Sequence, residues 1–507
     1  MPVVFLLSAV TLVAAASDAR LADAAKSLDR AAVRLLLEQR ADVNAPQADG
    51  TTALHWAAHQ DDLETARLLV RAGANARAVN RYGVTPLSLA CTNGRGAMVE
   101  LLLNAGADPN ATLPGGETAL MTAARTGNVE AVNVLLARGA DVHAKESSRG
   151  QTAIMWAAAE GNVEVVEALI KAGADFRARL DSGFTPLLFA VREGRAGAVR
   201  ALLKAGADVN DTVPPQTSGR RLSQGRGTPR PGVSALILAV TNAHYELAAM
   251  LLDAGADPNA AGAGYTALHV LTHARKPGGG DNDPAPQGSG TMTSLQFVKK
   301  LAAHGANLNA RMTRRVNFGL TSLNTLGATP FLLAAKTADA ELMRTLAALG
   351  ADPLLPTADN ATPLIAAAGL GTRSPGEDAG TESEVLEAVQ TALELGNDIN
   401  AVDNNGETAM HGAAYKNLPA VVEFLAAKGA SSDVWNRKNK QGWTPLTIAR
   451  GYRFGNYKPS PPTIAAFHRV MNAAGIPVPV ELKPGDVGRN SEYVAPPRKT
   501  SAPQPPK

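Results

Sequence analysis

The stretch Gly116–Arg149, GETALMTAARTGNVEAVNVLLARGADVHAKESSR, recurs in altered form along nearly the whole 507-residue chain. Related copies open at Gly50, Gly83, Gly116, Gly150, Gly183, Gly232, Gly264, Gly327, Asn360, Gly406 and Gly442, most of them 32 to 36 residues apart. A weaker copy runs from Asp18 to Asp49 and ends in LLLEQRADVNA. A fixed period of this length marks a repeat architecture, in which each unit is one supersecondary element stacked on the next.

Each residue of the phrase has a physical role. A Thr or Ser stands two positions after the opening residue in every copy, from Thr52 and Thr85 through Thr152 to Thr444. A hydroxyl there caps a helix by accepting from its orphan N–H groups. Pro follows in five copies (Pro86, Pro186, Pro330, Pro363, Pro445), at the first helical position, where a missing N–H is harmless. Small residues such as Ala123-Ala124 let neighbouring helices approach. Gly127-Asn128 ends the first helix through glycine's access to the left-handed conformation. Val129, Val132, Leu135 and Leu136 form the apolar stripe of a second helix. After Gly139, Ala-Asp-Val-His-Ala leads into a β-turn finger.

With its T-P-L-H-x-A and G-A-D-x-N marks, the phrase resembles the ankyrin repeat. The resemblance implies an all-α repeat solenoid of about twelve repeats, each a helix-turn-helix plus a finger. One repeat cannot bury its own apolar face, whereas stacked neighbours can. Composition agrees: apolar residues make up 45% and aromatics only 4%, which suits Ala/Leu helices packed without large rings. Length alone would suggest about three domains at ~150 residues each, but a solenoid grows by addition.

Departures from the period locate insertions near 211–231, 275–293, 311–326 and 370–383. Pro, Gly and Ser dominate three of them, the composition of irregular loops. The last segment, 476–507, is Pro-rich and reads as a disordered tail. Residues 1–16 lie outside the repeat. Their apolar run from Val3 to Val13 followed by Ala14-Ala15-Ala16 reads as a signal peptide cleaved after Ala16, although no basic residue precedes Arg20. A repeat chain with such a leader resembles bacterial exported ankyrin-repeat proteins, so a periplasmic or extracellular location is expected, with a cytoplasmic one as the alternative. No apolar stretch is long enough for a stable membrane span.

The sequence carries little catalytic chemistry. No G-x-S-x-G and no H-E-x-x-H occurs, and Gly262-Ala-Gly264 falls at a repeat boundary rather than after a strand. The chain is therefore expected to be no enzyme and to need no cofactor. The lone Cys91 excludes a disulfide framework and a CxxC metal site, and its place at a small-residue position reads as a buried hydrophobe. His55/His59 and His269/His273 share an i,i+4 face that a metal could use, but each pair lacks a third ligand. The resemblance gives the first His of each pair a role in hydrogen bonding within and between repeats. Asp281-Asn282-Asp283 offers too few ligands for calcium. A net charge of +3 without interleaved aromatics argues against nucleic acid.

What remains is binding, by a chain expected to act as a monomer. The resemblance places partner contacts on finger tips and on the groove-facing first helices. Tyr82, Phe184, Tyr265 and Trp443 flank the opening glycines, where folding does not require a ring, and Arg81, Arg149, Gln151, Arg192 and Lys416 occupy variable tip or groove positions. These nine are the expected partner-binding residues, with exposed aromatics as anchors. Trp56 and Trp156 read instead as core. The expected function is noncatalytic binding of a protein through the concave face and fingers. Two alternatives stay open. Arg220, Arg221, Arg226 and Arg230, with Arg311, Arg314 and Arg315, make one-signed finger insertions that suit an anionic polymer of the cell envelope. The histidine pairs suit a metal-dependent protein.

Overall fold

A computed structural model describes residues 19–93, 95–215, 230–278, 285–319, 321–453 and 458–479. The leader 1–16, the arginines Arg220, Arg221 and Arg226, the Asp281–Asp283 run and all but the first residues of the tail lie outside the described residues. Twenty-five helices are described and no strand, only three isolated bridges. Most helices form pairs joined by a tight turn, as Ala119–Thr126 is joined to Val129–Ala137. Gly127 takes φ 80° at that turn and stops the first helix. The next helix starts under a side-chain cap, since Asn128 accepts from the Ala131 N–H at 2.6 Å.

Buried Ala, Leu and Val of each pair face the adjacent pairs, and first helices of successive repeats lie closer together than second helices do. Small residues permit this: Ala123, Ala124, Ala157 and Ala158 are all fully buried. Leu135 is likewise sealed, whereas Leu136 is only partly covered, so the inward stripe of the second helix is Val132 and Leu135.

The G-A-D-x-N phrase supplies a repeat-to-repeat clip. Asn110 Nδ2 donates to the Gly139 carbonyl at 3.0 Å while its Oδ1 accepts from the Asp141 N–H at 2.7 Å. The same clip survives the insertions: Asn210 joins Gly255 and Asp257, and Asn259 joins Gly305 and Asn307. The stack therefore continues across both insertions. A second clip uses histidine. His55 Nδ1 accepts from the Thr52 N–H at 3.1 Å, and its Nε2 lies 3.1 Å from the Val84 carbonyl of the next repeat. His269 does the same with Thr266 and the Ala328 carbonyl.

One expected cap is not made. Thr118, Thr185, Thr329, Thr362 and Thr444 accept from a backbone N–H of the following helix, but the buried Thr152 hydroxyl has no partner.

Candidate functional site

The fingers and the first helices share one face of the stack, here the finger-side face. Most fingers close through a backbone bond from their start to the residue after the opening glycine, as Asn80 N–H donates to the Val84 carbonyl at 3.1 Å and Leu180 N–H to the Phe184 carbonyl at 3.0 Å. Neighbouring fingers are tied by single bonds, among them Arg81 N–H to the Asp49 carbonyl at 2.9 Å and Asn404 N–H to the Asp359 carbonyl at 2.8 Å.

This geometry splits the expected aromatics into two kinds. Tyr82 precedes its glycine, stands at the tip and is 57% exposed. The Arg81 guanidinium lies 4.9 Å from its ring centroid and donates to its hydroxyl. Phe184, Tyr265 and Trp443 follow their glycines, and that position turns inward. Phe184 is 3% exposed and packs on Phe189 at 5.1 Å, so it is a core ring rather than an exposed anchor. Tyr265 is 6% exposed because the inserted finger lies over it: Phe318 meets it edge-on at 5.1 Å and also stacks on His273 at 6.1 Å. Trp443 is partly buried against the core.

The polar candidates divide likewise. Arg149 is exposed at a tip whose backbone Glu146 holds, and the Gln151 carbonyl accepts the Glu146 N–H. Arg192 is half-buried, stacked 5.2 Å over both Phe184 and Phe189 and paired with Glu193. Lys416 is buried at 5% exposure instead of facing a groove. The insertion between the two helices of its preceding repeat folds down over it, and Lys416 Nζ donates to the Ala379 carbonyl. Asp378 of the same insertion is held by Lys336 and Thr372. Burial drops the Lys416 ammonium to about 8, with Lys336 pushing the same way.

The two insertions meet. Ser322 N–H donates to the Gly371 carbonyl at 2.8 Å, and Thr321 pairs with Thr372. The extended finger therefore crosses the face from Gly264 to Gly371. Two of its arginines are used within the fold: Arg311 donates to the Pro356 carbonyl of the next finger and Arg315 to the Ser322 carbonyl of its own.

Before the insertions begin, the face is open. Trp56 and Trp156 are half-buried there rather than sealed in the core. Lys26 lies 5.0 Å over the Trp56 ring and Arg125 5.5 Å over that of Trp156. The Trp156 Nε1–H finds no acceptor. Sequence reasoning missed these two because their position is Leu, Thr, Phe, Val, Ala, Gly or Ile in other copies and nothing in the phrase marks its exposure. Both ring nitrogens of His55 and His269 are engaged in the repeat clips, and no group of three His, Cys, Asp or Glu converges as a metal site would among the described residues. Cys91 is fully buried, and burial pushes its thiol up to about 12.

Helix pairs clipped in register with projecting fingers define a helical repeat solenoid. Family models for ankyrin repeats match residues 21–113, 120–213 and 379–457, and further ones match 97–136 and 232–263. The first of these covers more than half of the chain, which belongs to the ankyrin-repeat family. Repeats of this family generally mediate protein–protein interaction and are typically noncatalytic. A search of curated proteins found no match to the chain. No described helix is long and apolar enough to cross a membrane.

Proposed function

We propose that the chain is a noncatalytic scaffold that binds a partner protein through the finger-side, concave face of its first repeats, between Thr51 and Arg192. The observation that carries this reading is the contrast along the face: insertions lie over Tyr265 and Lys416, while Trp56, Tyr82 and Trp156 stay accessible, each under a cation. Half-exposed Trp and Tyr with adjacent Arg are the usual composition of binding hot spots. Fingers already tied to one another lose little conformational entropy on docking.

The test is affinity capture with purified wild type against a variant carrying Y82S and R125E. Both residues are exposed, so the unfolding midpoint is expected to hold. The captured partner should be lost. A variant that folds and captures the same partner overturns the reading. We also propose export of the chain, from the apolar run and Ala14–Ala16 alone. Sequencing of the native N-terminus is expected to start at Ser17, and an intact Met1 in a cytosolic fraction overturns it.

A further inference from the structure

Where the crossing finger meets the other insertion, the fold leaves a half-open cavity of about 330 Å³. That is enough for one small polar ligand or one long side chain. Arg315 and Asn324 reach it from the crossing finger, Asp359, Asp403 and Glu407 from the next two fingers, and Tyr415 from the helix beneath. Three carboxylates thus face one guanidinium. Arg315 is exposed and bound only to the Ser322 carbonyl at 3.3 Å, with no acid paired to it among the described residues.

The carboxylates are not equally occupied. Both oxygens of Asp403 are taken by its own finger, from the Asn405 and Glu407 N–H groups at 2.8 Å each and from Asn405 Nδ2 at 3.2 Å. Asp359 accepts from Asn324 Nδ2 at 2.9 Å through one side-chain oxygen, leaving the other open. Glu407 is only 9% exposed. Its Oε1 accepts from the Tyr415 hydroxyl at 2.8 Å and from Asn439 Nδ2 at 2.9 Å, while its Oε2 accepts from no described residue. Glu407 lines the cavity, so the lone pairs of that oxygen are available to a donor that enters it. Two open carboxylate oxygens carried by adjacent fingers match a planar fork of N–H donors better than a single point charge.

We propose that this cavity binds a guanidinium group, with Glu407 and Asp359 accepting its N–H donors. The group can belong to a free small molecule or to an arginine side chain of a partner. The site lies outside the open stretch proposed for protein docking, and the test uses small probes, so each reading can fail without the other. The ionisation of Glu407 fits the arrangement. Burial raises its carboxyl to about 7, with neighbouring Asp403 pushing the same way and the Tyr415 and Asn439 hydrogen bonds opposing. Asp359 and the exposed Arg315 face it across the cavity. A bound cation should favour the ionised form and release protons near neutral pH.

The experiment is isothermal titration of the full chain with N-acetyl-L-argininamide and, separately, with the peptide acetyl-Gly-Arg-Gly-amide. Saturable one-to-one binding is expected, with proton release at pH 7 seen as a dependence of the heat on buffer ionisation enthalpy. E407Q should weaken binding at least about ten-fold, the order expected for a charge-assisted bond to a buried carboxylate. Its unfolding midpoint should be no lower than wild type, which separates lost binding from lost fold. R315A removes the competing cation and should tighten binding. Equal affinity for both probes assigns the site to a free ligand, and tighter binding of the peptide assigns it to a protein side chain. Absence of saturable heat with both probes, undiminished binding by E407Q, or lost binding by R315A would each overturn the proposal.

Discussion

Phe318 meets Tyr265 at 5.1 Å with the rings at 82°, although 53 positions of chain, a helix pair and the start of a finger separate them. The contact shows that the insertion is part of the folded face: it supplies the side chain that covers the ring of an earlier finger. Aromatic pairs in this edge-on geometry add about 0.5–1.5 kcal/mol beyond the area they bury.

Tyr265 and Tyr82 should therefore respond differently to the same change. Y265S removes a buried ring and is expected to cost about 3–5 kcal/mol. Y82S removes an exposed one and is expected to stay within ~0.5 kcal/mol. Denaturant titration of the two variants checks this, and F318S should reproduce most of the Y265S loss.

Helix caps give a second contrast. Asn128 accepts from the Ala131 N–H at 2.6 Å, so N128A should cost about 1 kcal/mol. The Thr152 hydroxyl is buried without a partner. Replacing it by a methyl of the same shape removes an unsatisfied group, so T152V should be neutral or stabilising. Unfolding midpoints of the two variants should move apart, and a large loss in T152V would reveal a bond that the structure does not show.

The stack was legible in the sequence because its forces repeat. Asn110 and Asn210 recur in the same phrase and make the same clip, and Thr52-x-x-His55 recurs as Thr266-x-x-His269. The misreadings fall where copies differ. Phe184 and Tyr265 sit one residue after the glycine rather than one before it, and that single step takes a ring from the tip to the space between fingers. Lys416 was misplaced because the insertion above it occurs once, so no second copy reveals how it folds back. Glu407 occupies the position of Glu117 and Gln151, and nothing local tells which polar residue there meets a cavity. That depends on the Gly371 carbonyl receiving Ser322, a contact between two unrelated insertions.

Acid should weaken the fold through its buried histidines. Burial lowers His269 and His411 to about 4 from an ordinary 6.5. The unfolded chain then binds more protons than the folded one between those values, so stability present above pH 6.5 falls as pH drops toward 4. A shift of this size corresponds to roughly 3 kcal/mol for each ring. The carboxylates held down to about 2, Glu384 by the Lys276 hydrogen bond and Glu146 by backbone N–H groups against the cost of burial, act only below about 4.5. The interval from 6.5 to 4.5 therefore reports mainly on the histidines, opposed by Glu407 and Asp403, whose carboxyls burial raises. Urea midpoints measured in an E407Q background should fall across that interval, and H269Q with H411Q should reduce the fall, leaving the part due to His55 and His244, which burial also lowers.

Glu407 gives the converse dependence. Its folded value, raised to about 7 mainly by burial, lies above the ordinary 4.5. The protonated form is the one the fold prefers, so its contribution is fully present below pH 4.5 and is lost as pH rises through 7. E407Q keeps an acceptor for Tyr415 and Asn439 and cannot ionise. Its stability relative to wild type should favour the variant by less than about 1 kcal/mol at pH 5 and by as much as about 3 kcal/mol at pH 8. Denaturant titration at the two pH values reads this directly. Adding N-acetyl-L-argininamide at pH 8 should narrow the gap, because a ligand that binds only the folded wild type stabilises it by mass action. A gap that is the same at both pH values would mean that Glu407 ionises as freely in the folded chain as in the unfolded one.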